Sequence, residues 1–190
     1  MSQLIKQIKP VFEEKVTPVI ELFYKIGISP NFLTILGFIL VVTGSYFLAV
    51  QNFIVAGILL TLGNICDALD GALARRFDKS TKFGAFLDSV IDRLSDAFPL
   101  MAVVYIFRND DILLGLSLIA IVFSFLVSYT RARAEGLGVE CKVGFFERPE
   151  RSIILIVSVF LARVDIGILL IAIGAVITSF QRIYCMYQKT

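Results

Sequence analysis

Apolar residues run through this chain in stretches too long and too even for the core of a soluble domain. Residues 32–50, FLTILGFILVVTGSYFLAV, carry no charged side chain, and about 20 such residues in a helix cross a hydrocarbon core of ~30 Å. Residues 112–129 form a second uncharged stretch. Apolar density marks four more, over 53–75, 83–107, 150–163 and 165–184. The pattern predicts an all-α integral membrane protein with six transmembrane helices. Gly27-Ile28-Ser29-Pro30-Asn31 reads as a turn in which Ser29 or Asn31 caps the first span. Gln51-Asn52, Arg108-Asn109-Asp110-Asp111 and Arg163-Val164-Asp165 read as tight turns at the opposite ends of the spans. Residues 3–25 differ, because Leu4, Ile5, Ile8, Val11 and Phe12 alternate with Lys and Glu while Pro10 and Pro18 interrupt any single helix. That segment is expected to lie along the membrane surface as an amphipathic element. It lacks the apolar core and small-residue cleavage site of a secretory signal. The expected organisation is one domain over 1–190, with the amphipathic element at 1–28 and a six-helix bundle at 29–187.

Composition agrees: 57% of residues are hydrophobic and the mean hydropathy is +0.85. The net charge of +2 hides an uneven distribution of the 18 Lys and Arg residues. Lys6, Lys9, Lys15 and Lys25 precede the first span, and Arg75, Arg76, Lys79 and Lys82 occupy the 75–82 connection. Arg131, Arg133, Lys142, Arg148 and Arg151 occupy the 130–151 connection, with Arg182 and Lys189 in the tail. The other side offers Arg108 and Arg163. The positive-inside rule then places both termini and the two long basic connections in the cytosol of a multi-pass protein of the cell membrane. Basic residues so placed suit anionic headgroups or phosphate substrates, not nucleic acid. Cys66, Cys141 and Cys185 fall on that reducing side, so free thiols are expected and disulfides are not. The chain has no histidine, so a metal site here must use oxygen ligands.

The chemistry concentrates in residues 67–92, DALDGALARRFDKSTKFGAFLDSVID. Ionisable residues inside membrane helices are costly and mark functional sites. Asp67 and Asp70 stand at i, i+3 near the inner end of the second span, and Asp88 and Asp92 at i, i+4 in the third. With ~1.5 Å rise per residue and a core of ~30 Å, both pairs reach roughly 6–14 Å below the cytosolic boundary from opposite directions. Four clustered carboxylates need a counter-charge, which one or two hard divalent cations supply, two being expected. Mg²⁺ or Mn²⁺ fits best, with Ca²⁺ the other oxygen-seeking choice. Such an ion binds a diphosphate and neutralises a leaving phosphate, while a less engaged carboxylate removes a proton from an attacking hydroxyl. The competing structural explanation makes the aspartates helix caps and ion partners of Arg75, Arg76 and Arg93. Asp78 reads as a solvated loop residue, and Asp96, which continues the Asp88–Asp92 spacing, is left open.

The order D-x-x-D-G-x-x-A-R, eight residues, then G-x-x-x-D-x-x-x-D resembles the signature of the CDP-alcohol phosphatidyltransferase family. Asp67, Asp70, Gly71, Ala74, Arg75, Gly84, Asp88 and Asp92 occupy its fixed positions. The resemblance implies that Asp67, Asp70, Asp88 and Asp92 are metal ligands, with Asp92 also the general base. It implies that Gly71, Ala74, Arg75 and Gly84 line a CDP pocket. Pro30, Asn31 and Thr34 resemble a Pro-Asn-x-x-Thr element that approaches the same nucleotide. The implied reaction is attack of an alcohol oxygen on the lipid-linked β-phosphorus with release of CMP, by a homodimer. SYTRARAE, ERPER and LDSVIDR are similar to the inositol-phosphate branch of the family, which makes phosphatidylinositol phosphate or its archaeal ether-lipid analogue. Arg131, Arg133, Arg148 and Arg151 are then candidate ligands of the acceptor phosphate, by planar, bidentate bonding. The same basic residues also suit plain headgroup attraction. The glycerol 3-phosphate branch is the alternative; it usually carries Lys where this chain has Arg93. An ion-coupled transporter is the reading from another class, but its sites usually lie near the midplane between repeats.

Overall fold

The computed structural model of the protein describes residues 16–141 and 143–189. Residues 1–15, with most of the expected amphipathic element and three of its lysines, lie outside the described residues, as do Lys142 and Thr190. Among the described residues the chain is all helix and turn. Residues 16–25 (α1) are followed by α2 (Pro30–Ala49), α3 (Phe53–Arg76), α4 (Lys82–Ile106), α5 (Asp111–Gly136), α6 (Arg148–Phe160) and α7 (Val164–Lys189).

Local chemistry sets the helix starts. Ser29 caps α2, its hydroxyl accepting from Phe32 N–H, with Pro30 in the first turn where no donor is missed. Asn52 caps α3, Thr81 caps α4 and Asp110 caps α5 through side-chain oxygens. Asp78 takes a left-handed φ of 50° just past α3, which fits its reading as a loop residue.

Four helices, α2, α3, α5 and α7, are long and apolar enough to cross a membrane. α4 has the length, with 25 residues, yet carries Lys82, Asp88, Asp92, Arg93 and Asp96. α6 has 13 residues, about 20 Å of helix against a core of ~30 Å. Length and composition therefore give four of the six expected spans. α5 also runs through Arg131 and Arg133 to Gly136, helped by an Arg131–Glu135 pair at 3.0 Å. The second basic connection is thus 137–147, shorter than the pattern of charges suggested.

The principal helix contacts close a ring, α3–α2–α4–α5–α7–α6 and back to α3. Leu60, Val103, Val159 and Ile168 fill its centre. α2 and α3 approach closely because glycines face each other: a Cβ on Gly37 would meet Cys66 Cβ and Gly63 O, each at 3.0 Å. Ile20 of α1 is buried against Leu33, Leu69 and Leu73 at the end of the bundle where α3 stops and α4 begins.

The 137–147 connection is fastened along one face of α7. Phe146 packs on Gly174, Gly144 sits against Thr178, and Phe146 N–H donates to Thr178 Oγ1 at 3.1 Å. Arg182 takes Val143 O at 3.0 Å, and Cys141 is joined to Cys185 by a disulfide. The expectation of free thiols is corrected for these two; Cys66 remains a thiol. That expectation rested on compartment, whereas α6 and α7 carry the chain back to the end it left and bring the two Cα atoms to 6.1 Å. Replacing both cysteines by Ser is expected to cost at most about 4 kcal/mol, the chain-entropy figure for a closed loop of this size. A lower thermal midpoint in detergent checks this; an unchanged midpoint means the cross-link adds nothing.

Candidate active site

Every long connection and α1 gather at one end of the bundle, and the acidic residues lie just inside it. The Gly37–Gly63 approach places Thr34, one turn before Gly37, beside Asp70 on α3. Thr34 Oγ1 donates to Asp70 Oδ2, and Asp70 is 4% exposed. Asp67, Asp70 and Asp88 each offer an oxygen within 4.8 Å of the others. Asp92 stands outside that trio, one turn deeper on α4. Its Oδ1 is buried and accepts no hydrogen bond, with the Arg148 guanidinium 2.8 Å away as an ion partner. Three converging carboxylates with a fourth beside them are a donor set that fits a hard divalent cation.

Ion pairing at the aspartates runs mainly through an arginine other than Arg76 and Arg93. Arg76 pairs with Glu21 at 2.8 Å, away from the carboxylates. Arg93 reaches only 3.8 Å from Asp92 and donates to Ser89 O instead. The guanidinium that does enter the cluster is Arg148, whose Nη1 donates to Asp67 Oδ2 at 2.8 Å.

Two recesses flank the carboxylates. Between α2, α3 and α4 lies a pocket of about 210 Å³, lined by Asn31, Thr34, Gly71, Ala74, Arg75 and Gly84 together with Asp70 and Asp88. All six residues expected at a nucleotide therefore meet in one place. Gly84 is tightly confined there: a Cβ would stand 3.0 Å from Thr81 Oγ1 and 3.1 Å from Asn31 Oδ1. On the other side, α4, α5, α6 and α7 enclose a cleft of about 390 Å³, within the range of small-ligand sites. Arg93, Arg131, Arg148 and Arg182 line it beside Asp92 and Asp96. A third, mainly apolar groove runs from Asp67 and Arg148 along Ile65, Ile153, Ile156 and Val157.

The arginines expected at an acceptor phosphate divide. Arg131 and Arg148 line the cleft, Arg133 is exposed on α5 away from it, and Arg151 is 4% exposed and turned onto Asp96 and Phe146 O. Arg182 escaped the sequence reading, which placed it in a basic tail. Its signal was a single cation in the run TSFQRIY of an otherwise apolar helix.

Residues 27–180 match the family model described as CDP-alcohol phosphatidyltransferase. The chain is 41% identical over 184 residues to the archaetidylinositol phosphate synthase of Pyrococcus horikoshii, covering 95% of each chain. Its fold is similar to the crystal structure of Mycobacterium tuberculosis phosphatidylinositol phosphate synthase with CDP-DAG bound. The TM-score is 0.82 at 32% identity, over 90% of this chain and 93% of that one. The same mycobacterial enzyme in complex with manganese and citrate gives a TM-score of 0.84 at 31% identity, over 90% and 88% of the two chains.

Proposed function

The chain belongs to the CDP-alcohol phosphatidyltransferase family, and on that premise we propose that it transfers a phosphatidyl or ether-lipid phosphatidyl-like group from a CDP-linked lipid to inositol 1-phosphate, releasing CMP. It is an integral membrane enzyme. The observation that carries the acceptor assignment is Arg148, which lines the cleft between α4, α5, α6 and α7 and also reaches the carboxylates at Asp67 and Asp92. A phosphorylated alcohol seated in that cleft lies next to the reacting centre, where Arg148 offers planar hydrogen bonding to phosphate, with Arg131, paired to Glu135, on the same wall. The relatives named as inositol-phosphate lipid synthases in an archaeon and a mycobacterium support the same choice.

The roles follow from position. Gly71, Ala74, Arg75, Gly84, Asn31 and Thr34 hold the CDP, with the apolar groove beside Asp67 receiving the lipid chains. Asp67, Asp70 and Asp88, with Asp92, hold Mg²⁺ or Mn²⁺, one or two ions, and the manganese complex of the mycobacterial relative supports this choice. Bound there, the cation neutralises the diphosphate and polarises a phosphoryl oxygen. Asp92 accepts the proton of the attacking hydroxyl. The new P–O bond forms at the lipid-linked phosphorus as the bond to the CMP phosphate breaks. Of the four arginines expected at the acceptor's own phosphate, Arg131 and Arg148 take that role, whereas Arg133 lies away from the cleft and Arg151 is engaged by Asp96 and Phe146 O.

We assign α4 and α6 as the remaining spans, making six in one domain. Bilayer thinning and snorkelling flanks accommodate a short α6, and a homodimer with cytosolic termini and site completes the reading. Purified protein with CDP-diacylglycerol and Mn²⁺ should release CMP with inositol 1-phosphate. Turnover with glycerol 3-phosphate alone would overturn the acceptor assignment, and CMP from neither would overturn the transfer itself. The nucleotide pocket has its own test. Gly84→Ala should raise the KM for the CDP-lipid about tenfold or more, because overpacking costs about 1–3 kcal/mol. An unchanged KM would take Gly84 off the binding surface.

A further inference from the structure

Asp96 stands one turn beyond Asp92 on α4 and is gripped by two arginines from the first turn of α6. Its Oδ2 accepts from Arg151 Nη2 at 2.6 Å, and its Oδ1 from Arg148 Nε at 3.3 Å. Arg151 also donates to Phe146 O at 3.2 Å, so the start of α6 is tied down on both sides. With Nε engaged at Asp96, Arg148 faces the reacting centre with Nη1 alone, 2.8 Å from both Asp67 Oδ2 and Asp92 Oδ1. A guanidinium binds a carboxylate most strongly through two parallel N–H bonds. Neither Asp67 nor Asp92 receives that pair from Arg148.

We infer that Asp96 is a positioning residue: it holds Arg148 by its inner nitrogen, so that the guanidinium bridges Asp67 and Asp92 through one nitrogen and closes on neither. Both carboxylates thereby stay open to a divalent cation. Without Asp96 the freed Nε edge of Arg148 turns onto Asp67 or Asp92 and competes with the cation for the same oxygens.

This role rests on the metal site proposed above, and Mn²⁺ binding to the purified full-length protein, read by electron paramagnetic resonance of the free ion, separates the two. Asp96→Asn should bind Mn²⁺ about tenfold or more weakly, the usual range for residues that orient metal ligands. Asp96→Asn combined with Arg148→Gln should bind like the wild type while CMP release stays lost, because the competing cation is gone. A merely structural Asp96 would not be rescued by removing a second buried charge. Equal Mn²⁺ affinity in wild type and Asp96→Asn overturns the role alone, as does a double variant that stays weak. A wild type that binds no Mn²⁺ overturns the metal site and the role together. Should Asp96→Asn not fold, Arg148→Gln carries the test: it should bind Mn²⁺ at least as tightly as wild type, and weaker binding overturns the inference.

Discussion

Asp92→Asn is expected to lose CMP release by about 10²- to 10⁴-fold, the usual contribution of a general base, while still binding the CDP-lipid. The split follows from where Asp92 lies. Asp67, Asp70 and Asp88 converge within 4.8 Å without it, so the oxygens nearest the nucleotide pocket survive the substitution. Asp92 instead meets the acceptor cleft, with one buried oxygen that accepts no hydrogen bond. An amide in its place keeps the volume and loses the proton acceptor. Asp70→Asn should do the opposite. Asp70 belongs to the trio and is fixed by Thr34, so its loss should weaken Mn²⁺ binding first and turnover in consequence. Equilibrium binding of CDP-diacylglycerol and Mn²⁺ titration, run beside the CMP assay, separate the two variants. If Asp92→Asn also loses CDP-lipid binding, Asp92 is a metal ligand and nothing more.

That difference between the aspartates was not written in their spacing. Asp67, Asp70, Asp88 and Asp92 were legible as a set, because intramembrane charge is rare and helical spacing fixes which residues share a face. Gly71, Ala74, Arg75 and Gly84, which line one pocket with Asn31 and Thr34, were expected together from the family resemblance and not from spacing. Helix positions were legible to within a few residues wherever apolar runs begin after Ser29, Asn52, Thr81 or Asp110, whose side chains cap α2, α3, α4 and α5. The acceptor side was harder to read. A run of basic residues between two spans says that phosphate or headgroup is near, but not which arginine faces inward. Arg131 and Arg133 are two residues apart on a helix and so point different ways, one to the cleft and one to solvent. Arg148 and Arg151, three apart, share a face, and tertiary contact with Asp96 then decides that Arg151 is spent inside. Arg182 and the Cys141–Cys185 bond depend on partners 35 to 55 residues distant, a kind of information that periodicity does not carry.

Arg182 also carries the second large effect. It is 3% exposed within α7 and donates to Val127 O on α5, to Val143 O at 3.0 Å, and to Glu147 Oε1 at 2.9 Å. It therefore ties α5 and α7 to the 137–147 connection, whose last residue, Glu147, lines the cleft. Arg182→Met keeps much of the volume but removes the donor to Val143 O, the donor to Glu147 Oε1 and one of those to Val127 O, which also accepts from Thr130 Oγ1. Breaking a buried pair from one side costs about 3–5 kcal/mol, so a marked fall in thermal midpoint is expected. Glu147 begins α6 without a side-chain cap bond, and its carboxylate is held by Arg182. Once released, it tilts the turn that carries Arg148, and the KM for the acceptor should rise more than that for the CDP-lipid. Adding Glu147→Leu should restore most of the stability, because a buried pair replaced by apolar side chains is often neutral. It should not restore acceptor affinity, since the cleft has lost a cation and its fixed wall. Recovery of both together would mean that Arg182 matters only as the partner of Glu147, and a variant as stable as the wild type would mean that the connection is held by Thr178 and the disulfide alone.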